Sequence, residues 1–142
     1  AALVAAQPSR PAIRFAAYDL LIDTNDKPLG AYQVRIESTS ANNKLVGIEG
    51  GAKSTAFADP PTYDPRALSA SAESEFGDKI ILAAYTLSAA PVSNQPIRVA
   101  RIHVQIMGDD EPEWSLTLVA AADATGKRIN PTIQLVPTGD TP

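Results

Sequence analysis

The 142-residue chain contains no cysteine, a single histidine and few aromatic residues, which make up 6% of the total. Disulfides, thiolate zinc sites and a cysteine nucleophile are therefore excluded. No apolar run approaches the roughly 20 residues of a transmembrane helix, so we predict no membrane insertion. The 12 basic residues are scattered along a chain of formal charge −4, whereas nucleic-acid binding needs a clustered basic face. No nucleic-acid partner is predicted, and no motif indicates a cofactor.

The patterns that are present indicate β-structure. Residues 100–106 and 114–118 alternate apolar and polar side chains, and residues 31–38 repeat this alternation. Such a pattern indicates a strand with one buried face and one face in water. The nearly continuous apolar run at 79–87 is typical of a central strand covered on both sides. We therefore predict an all-β fold with two antiparallel sheets and about eight or nine strands, either a β-sandwich or a barrel.

The same patterns predict how the chain is divided. We expect a flexible tail at 1–12, one β-domain at 13–136 and a polar tail at 137–142. The apolar residues 1–6 are either a remnant of processing or a frayed terminus.

Three segments depart from simple alternation. In the predicted strand at 13–23 the apolar residues change parity after Ala17, which indicates a β-bulge or a strand that passes between sheets. Residues 51–78 form a segment that is too long for a bare connection, and we expect a short strand or a helical turn near 66–72. Pro131 restricts the last predicted strand to a sheet edge or a bulge.

The two alternating runs near the C-terminus form either a hairpin or an arch between two sheets. Ile102, Val104, Leu116 and Leu118 point into the same core in both arrangements. The connection at 108–113 lacks the Asn-Gly type of signal that marks a two-residue hairpin. The pattern therefore favours the arch, although only slightly.

His103 is the natural candidate for a general base or a metal ligand, because it is the single histidine. Its parity places it on the outer side of a strand, with Arg101 and Gln105 on the same face. No Ser-His-Asp spacing and no second histidine supports catalysis. We interpret His103 as a solvated strand residue.

Acidic residues offer two further kinds of site. The loop at 109–113 could supply oxygen ligands to calcium, but it lacks the ligand spacing of a recognised calcium loop. Paired carboxylates could serve glycoside hydrolysis if two of them met in a cleft, which leaves a hydrolase as the last-ranked alternative. The candidates, which show no pattern, are Glu49, Asp59, Asp64, Glu73 and Glu75.

Phe57 and Tyr63 are candidates for binding a polysaccharide, because sugar-binding modules present exposed rings that stack on pyranose faces. The competing interpretation is that both side chains fill the end of the sandwich beneath the irregular segment. Aromatic rings are commonly used in protein cores, and the chain has few of them, so we favour the second interpretation.

Four stretches together resemble a cohesin-type domain. They are LGAYQVRI at 29–36, KLVGIEGG at 44–51, IILAAY at 80–85 and VARIHVQI at 99–106. Their order resembles that of the family: an alternating strand, a short strand ending in glycine, an apolar strand and a long alternating strand. The resemblance extends over residues 13–136.

The resemblance implies a jelly-roll β-sandwich of about nine strands, no catalysis and an exported protein that is extracellular, periplasmic or at the cell surface. It also implies that a protein partner docks on the outer face of one sheet. Bacterial carbohydrate-binding modules are similar in fold, so a polysaccharide is the alternative partner. The outward positions that match the docking face are Gln33, Arg35, Glu37, Ser115 and Thr117.

Overall fold

The computed structural model describes residues 13–25, 27–39, 43–52, 57–68, 78–86, 96–108 and 112–138. This part of the chain forms seven β-strands, and a 3-10 turn at Pro65–Ala67 lies between the third and fourth strands. The strands are β1 (Ile13–Asp23), β2 (Leu29–Ser38), β3 (Asn43–Gly50), β4 (Lys79–Tyr85), β5 (Ile97–Met107), β6 (Trp114–Asp123) and β7 (Thr132–Pro137).

The strands pair into two antiparallel sheets, with the orders β3-β5-β1-β7 and β4-β2-β6. Because β5 and β6 follow each other in the chain but belong to different sheets, their connection is an arch, as the sequence favoured. The predicted all-β class with two antiparallel sheets is confirmed. The described residues contain seven strands, compared with the expected eight or nine.

Alternation along the strands places one set of apolar side chains between the two sheets. Ile102 and Val104 of β5 and Val34 and Ile36 of β2 are fully buried there. The half-buried residues of β6, including Leu116, pack against this cluster. Burying one such side chain contributes roughly 1.5–3 kcal/mol. Contact between the sheets is therefore a main source of stability.

β4 lies at the edge of its sheet among the described strands, so the expectation of a central strand covered on both sides is wrong. It pairs with β2 on one side and carries a single isolated bridge on the other. Ile80 and Leu82 are buried, whereas Ile81 and Tyr85 on the opposite face are 47% and 76% exposed. An apolar run has the same appearance in sequence whether its second face is buried or exposed.

β1 pairs within one sheet only, so the parity change after Ala17 does not mark a crossing between sheets. The even-numbered residues of 18–22 point into the core. Ile13 and Phe15 lie on the opposite face and are 55% and 69% exposed, so the alternation is unbroken and apolar residues occupy both faces. The pairing with β5 does contain a bulge, and its extra residue is Val99 of β5.

β7 is an edge strand that begins directly after Pro131, in agreement with the prediction for this proline. The 3-10 turn begins at Pro65, close to the helical turn expected near 66–72, and the end of that range lies outside the described residues. The part of the chain that the structure describes contains no helix long and apolar enough to cross a bilayer.

A buried carboxylate connects the end of β7 to β1 and β5. Asp19 of β1 is 1% exposed, and its Oδ1 atom accepts hydrogen bonds from Arg101 Nε at 2.9 Å and from Thr138 Oγ1 at 2.8 Å. The Thr138 N–H donates to the Ala17 carbonyl oxygen at 2.9 Å. A buried charge is costly unless it is paired and hydrogen-bonded, so both partners of Asp19 are needed to keep it in place.

Replacing Asp19 should test this junction. We expect Asp19→Ala to lower the free energy of unfolding by roughly 2–3 kcal/mol, because it removes two hydrogen bonds to a charged group and leaves Arg101 without its partner. Urea denaturation measures the change. Glu37→Ala, which breaks an exposed ion pair, is the matched control and should cost less than about 1 kcal/mol. Equal losses in the two variants would contradict the special role of Asp19.

Candidate functional site

The outer face of the three-stranded sheet brings together the residues that the resemblance marked for docking. Gln33, Arg35 and Glu37 lie on the solvent side of β2, the central strand of this sheet. Strand pairing places Thr117 of β6 beside Arg35, and Ser115 of β6 beside Glu37. All five positions therefore share one continuous surface, which we call the β4–β2–β6 face.

An ion pair occupies the central strand of this face. Arg35 Nε lies 2.9 Å from Glu37 Oε1, and the two side chains are 46% and 42% exposed. Exposed pairs contribute only about 0–1 kcal/mol to stability. The pair presents one positive and one negative group at defined positions on this face.

Three large apolar side chains are exposed on the same face as these charges, and the sequence did not predict any of them as site residues. Ile81 and Tyr85 lie on β4, and Val119 of β6 is 41% exposed. Val119 is the extra residue of a bulge in the pairing of β6 with β2. A bulge locally redirects the side chains of its strand, and pairing patterns of this kind are not visible in a single sequence.

Small side chains form a shallow groove across the same face. Its volume is about 330 Å³, and its lining includes Ala31, Ala83, Ala120 and Ala122, together with Arg128. The four alanines lie at neighbouring positions on the three strands, because Ala31 pairs with Ala122 on β6 and Gln33 pairs with both Ala83 and Ala120. The face therefore has a shallow groove between small side chains at one end, and it carries charged groups near Arg35.

A second cleft, of about 320 Å³, lies where the sheet meets the 3-10 turn, and its lining includes Glu37 and Asp64. Hydrogen bonds from the side chain and backbone of Arg66 hold the pKa of Asp64 below its usual value. A glycosidase needs one carboxyl with a raised pKa as its acid, so Asp64 does not suit that role. Of the other carboxylate candidates, Glu73 and Glu75 lie outside the described residues.

Phe57 and Tyr63 are not exposed platforms. Phe57 is 3% exposed, and its ring centroid lies 5.5 Å from that of Tyr32 at an interplanar angle of 60°. Tyr63 is half-buried and packs against the core. Gly50 allows this segment to approach β3, since an added Cβ would lie within 1.9 Å of the Ala58 carbonyl oxygen. The placement agrees with the interpretation that these rings fill space beneath the segment.

His103 lies on the outer face of the other sheet, beside a carboxylate. Its Nε2 atom is 2.5 Å from Glu49 Oε2, and the two side chains are 40% and 57% exposed. Among the described residues, no three His, Asp or Glu side chains come together as possible metal ligands. The acidic loop at 109–113, which could supply oxygen ligands to calcium but lacks the spacing of a calcium loop, has residues 109–111 outside the described part. His103 therefore belongs to a hydrogen-bonded surface pair with Glu49.

Comparison with known proteins supports the fold. No protein-family model matches the sequence, and no curated protein matches it. The chain is similar to a chain in the crystal structure of a dockerin–cohesin complex at pH 5.5, with a TM-score of 0.55 and 14% identity, over 86% of this chain and 85% of that one. At this identity the likeness shows the fold alone, which is a cohesin-like β-sandwich.

The pair formed by Glu49 and His103 should make stability depend on acidic pH. The hydrogen bond with His103, with attraction from Arg101 and Arg98, lowers the pKa of Glu49 from its ordinary value of 4.5. The folded chain then binds fewer protons than the unfolded chain just below pH 4.5. The stabilisation from Glu49 is therefore complete above that pH and is lost as the pH falls through the lower folded-state pKa.

We expect Glu49→Gln to flatten the decline in the free energy of unfolding below pH 4.5, as measured by urea denaturation at a series of pH values. His103→Gln should flatten it similarly, because the lowered pKa depends first on that side chain. Parallel pH profiles for the unmodified chain and Glu49→Gln would contradict this assignment.

Proposed function

We propose that the chain is a non-catalytic, cohesin-like binding module that docks a protein partner on the β4–β2–β6 face. The observation that carries the proposal is the exposure of Ile81, Tyr85 and Val119 on the same sheet face as the Arg35–Glu37 pair. Exposed apolar anchors within a polar surround are typical of protein interfaces. The fold similarity to a chain crystallised in a dockerin–cohesin complex supports a protein as the partner.

We further propose that the module belongs to an exported protein and acts in the extracellular space, in the periplasm or at the cell surface. The support is the resemblance of the four strand sequences to cohesin-type domains. A domain of this kind holds its partner in place, so its activity is scaffolding.

A polysaccharide is the second candidate partner, and one observation favours it. Tyr85 is 76% exposed and is the strand partner of Ala31, which lines the groove of about 330 Å³. An exposed aromatic ring next to a groove is suited to stacking on a sugar. The two candidates share a surface and differ in the chemistry of the partner.

Binding to a panel of purified dockerin modules, measured by biolayer interferometry, tests the proposal. We expect binding that Tyr85→Ala and Val119→Glu each weaken by about 30-fold, which corresponds to the roughly 2 kcal/mol of an interface hot spot. Phe15→Ala is the matched control, because Phe15 is 69% exposed on the outer face of the other sheet. Its affinity should remain unchanged.

Equal weakening by Phe15→Ala and Tyr85→Ala would contradict docking on the β4–β2–β6 face. A glycan array with the same variants separates the two candidates. Clear glycan binding that Tyr85→Ala abolishes, with no binding to any dockerin module, would replace the protein partner with a polysaccharide. Tyr63→Ala serves as the aromatic control in that array, because Tyr63 is half-buried.

A further inference from the structure

Within the part of the chain that the structure describes, the outer edge of β4 has backbone groups without hydrogen-bond partners. Thr62 and Ala83 exchange two backbone hydrogen bonds, from Thr62 N–H to Ala83 O at 2.7 Å and from Ala83 N–H to Thr62 O at 3.0 Å. The backbone of Ala83 therefore points away from β2. Because backbone groups alternate direction along a strand, the N–H and C=O of Ile81 point to the same outer edge.

The segment that contains Thr62 pairs with Ala83 but turns away from β4 before it reaches Ile81. Continued antiparallel pairing would bring Asp64 opposite Ile81. Instead Asp64 caps the 3-10 turn, and its carbonyl oxygen accepts from the Ala67 N–H at 2.8 Å. The Ile81 N–H and C=O consequently make no hydrogen bond with any residue that the structure describes.

A cleft occupies the space that this turn leaves beside Ile81. It measures about 320 Å³, and its lining includes Asp64, Ala67, Lys79 and Ile81, together with Arg35 and Glu37 of the adjacent sheet face. Exposed strand edges are templates for pairing with another chain, and a peptide that adds to such an edge gains main-chain hydrogen bonds. The cleft and the unpaired amide therefore favour the same kind of occupant, an extended peptide segment.

We propose that a partner protein inserts a short extended segment beside Ile81 and adds a strand to the edge of β4. The inference rests on the proposed function, because Ile81 belongs to both surfaces: its side chain lies on the β4–β2–β6 face and its backbone lies on the edge. One partner can therefore contact the face and pair with the edge at the same time.

Side chains around the cleft indicate which residue type the partner's inserted segment carries. Residues two apart on a strand share a face. If one residue of the inserted segment lies opposite Ile81, the segment residue two positions further along lies beside Lys79. Lys79 is exposed and lies opposite Glu37 of β2, but Glu37 pairs with Arg35, and Lys79 makes no salt bridge within the described part of the chain. An acidic side chain at that position of the segment would complement it. The expected ligand is an extended peptide with an acidic residue next to its pairing site.

The test uses dodecamer peptides selected on phage against the full chain, with hydrogen exchange of the Ile81 amide followed by NMR. Exchange should be fast in the free chain and at least about tenfold slower with a selected peptide bound, because the amide gains an acceptor. Ile81→Pro removes the N–H that faces the edge, a position where proline is tolerated, and also the isoleucine side chain. Ile81→Pro should weaken peptide binding about tenfold more than Ile81→Ala does, because Ile81→Ala removes the side chain and keeps the N–H.

The outcomes separate this inference from the proposed function. Peptides that lose affinity on Tyr85→Ala but leave Ile81 exchange unchanged would overturn strand addition and leave docking on the face intact. If sedimentation shows a dimer and the Ile81 amide is protected from hydrogen exchange without peptide, the edge pairs with a second copy of the chain. This result would also overturn the inference. Failure to select any peptide overturns it as well, while the dockerin panel still decides the proposed function. If Ile81→Pro does not fold, hydrogen exchange of the Ile81 amide in the unmodified chain still tests the inference.

Discussion

The contact between the two sheets is the constraint on which the rest of the structure depends. Ile102 and Val104 of β5 meet a core to which β2 contributes Val34 and Ile36, and all four are fully buried. Because side chains alternate along a strand, burying this set turns the intervening residues toward solvent. Arg35 is exposed for the same reason that Val34 and Ile36 are buried. The core thus decides which residues are available to a partner.

The two outer faces that remain differ in chemistry. On the four-stranded sheet, Asp19 is buried and bonded to Arg101, and His103 lies beside Glu49. These two contacts pair polar groups within the chain, while Ile13 and Phe15 of the same sheet are exposed. The three-stranded sheet exposes Ile81, Tyr85 and Val119 on the same face as the Arg35–Glu37 pair, and among the described residues its edge at Ile81 has unused backbone groups. A surface that combines exposed apolar side chains with unpaired backbone groups is the better candidate for recognition.

Much of the fold could be predicted from the sequence, because alternation is a local property. The pattern around Arg35 identified both faces of β2, and the arch between β5 and β6 agreed with a connection that lacks a tight-turn signal. The exposure of Ile81 and Phe15 could not be predicted in the same way. It depends on the neighbours that each strand has in its sheet, and that order is set by contacts between residues distant in sequence. The sequence therefore predicted the polar residues of the candidate site and did not predict its exposed apolar residues.

NMR chemical-shift mapping of the full chain during titration with a protein that binds it shows which sheet face the partner contacts. Docking on the β4–β2–β6 face predicts shifts concentrated on β2, β4 and β6, with Arg35, Ile81 and Val119 among the most affected amides. Shifts concentrated on β1, β3, β5 and β7 would contradict the account, because they would place the partner on the opposite sheet.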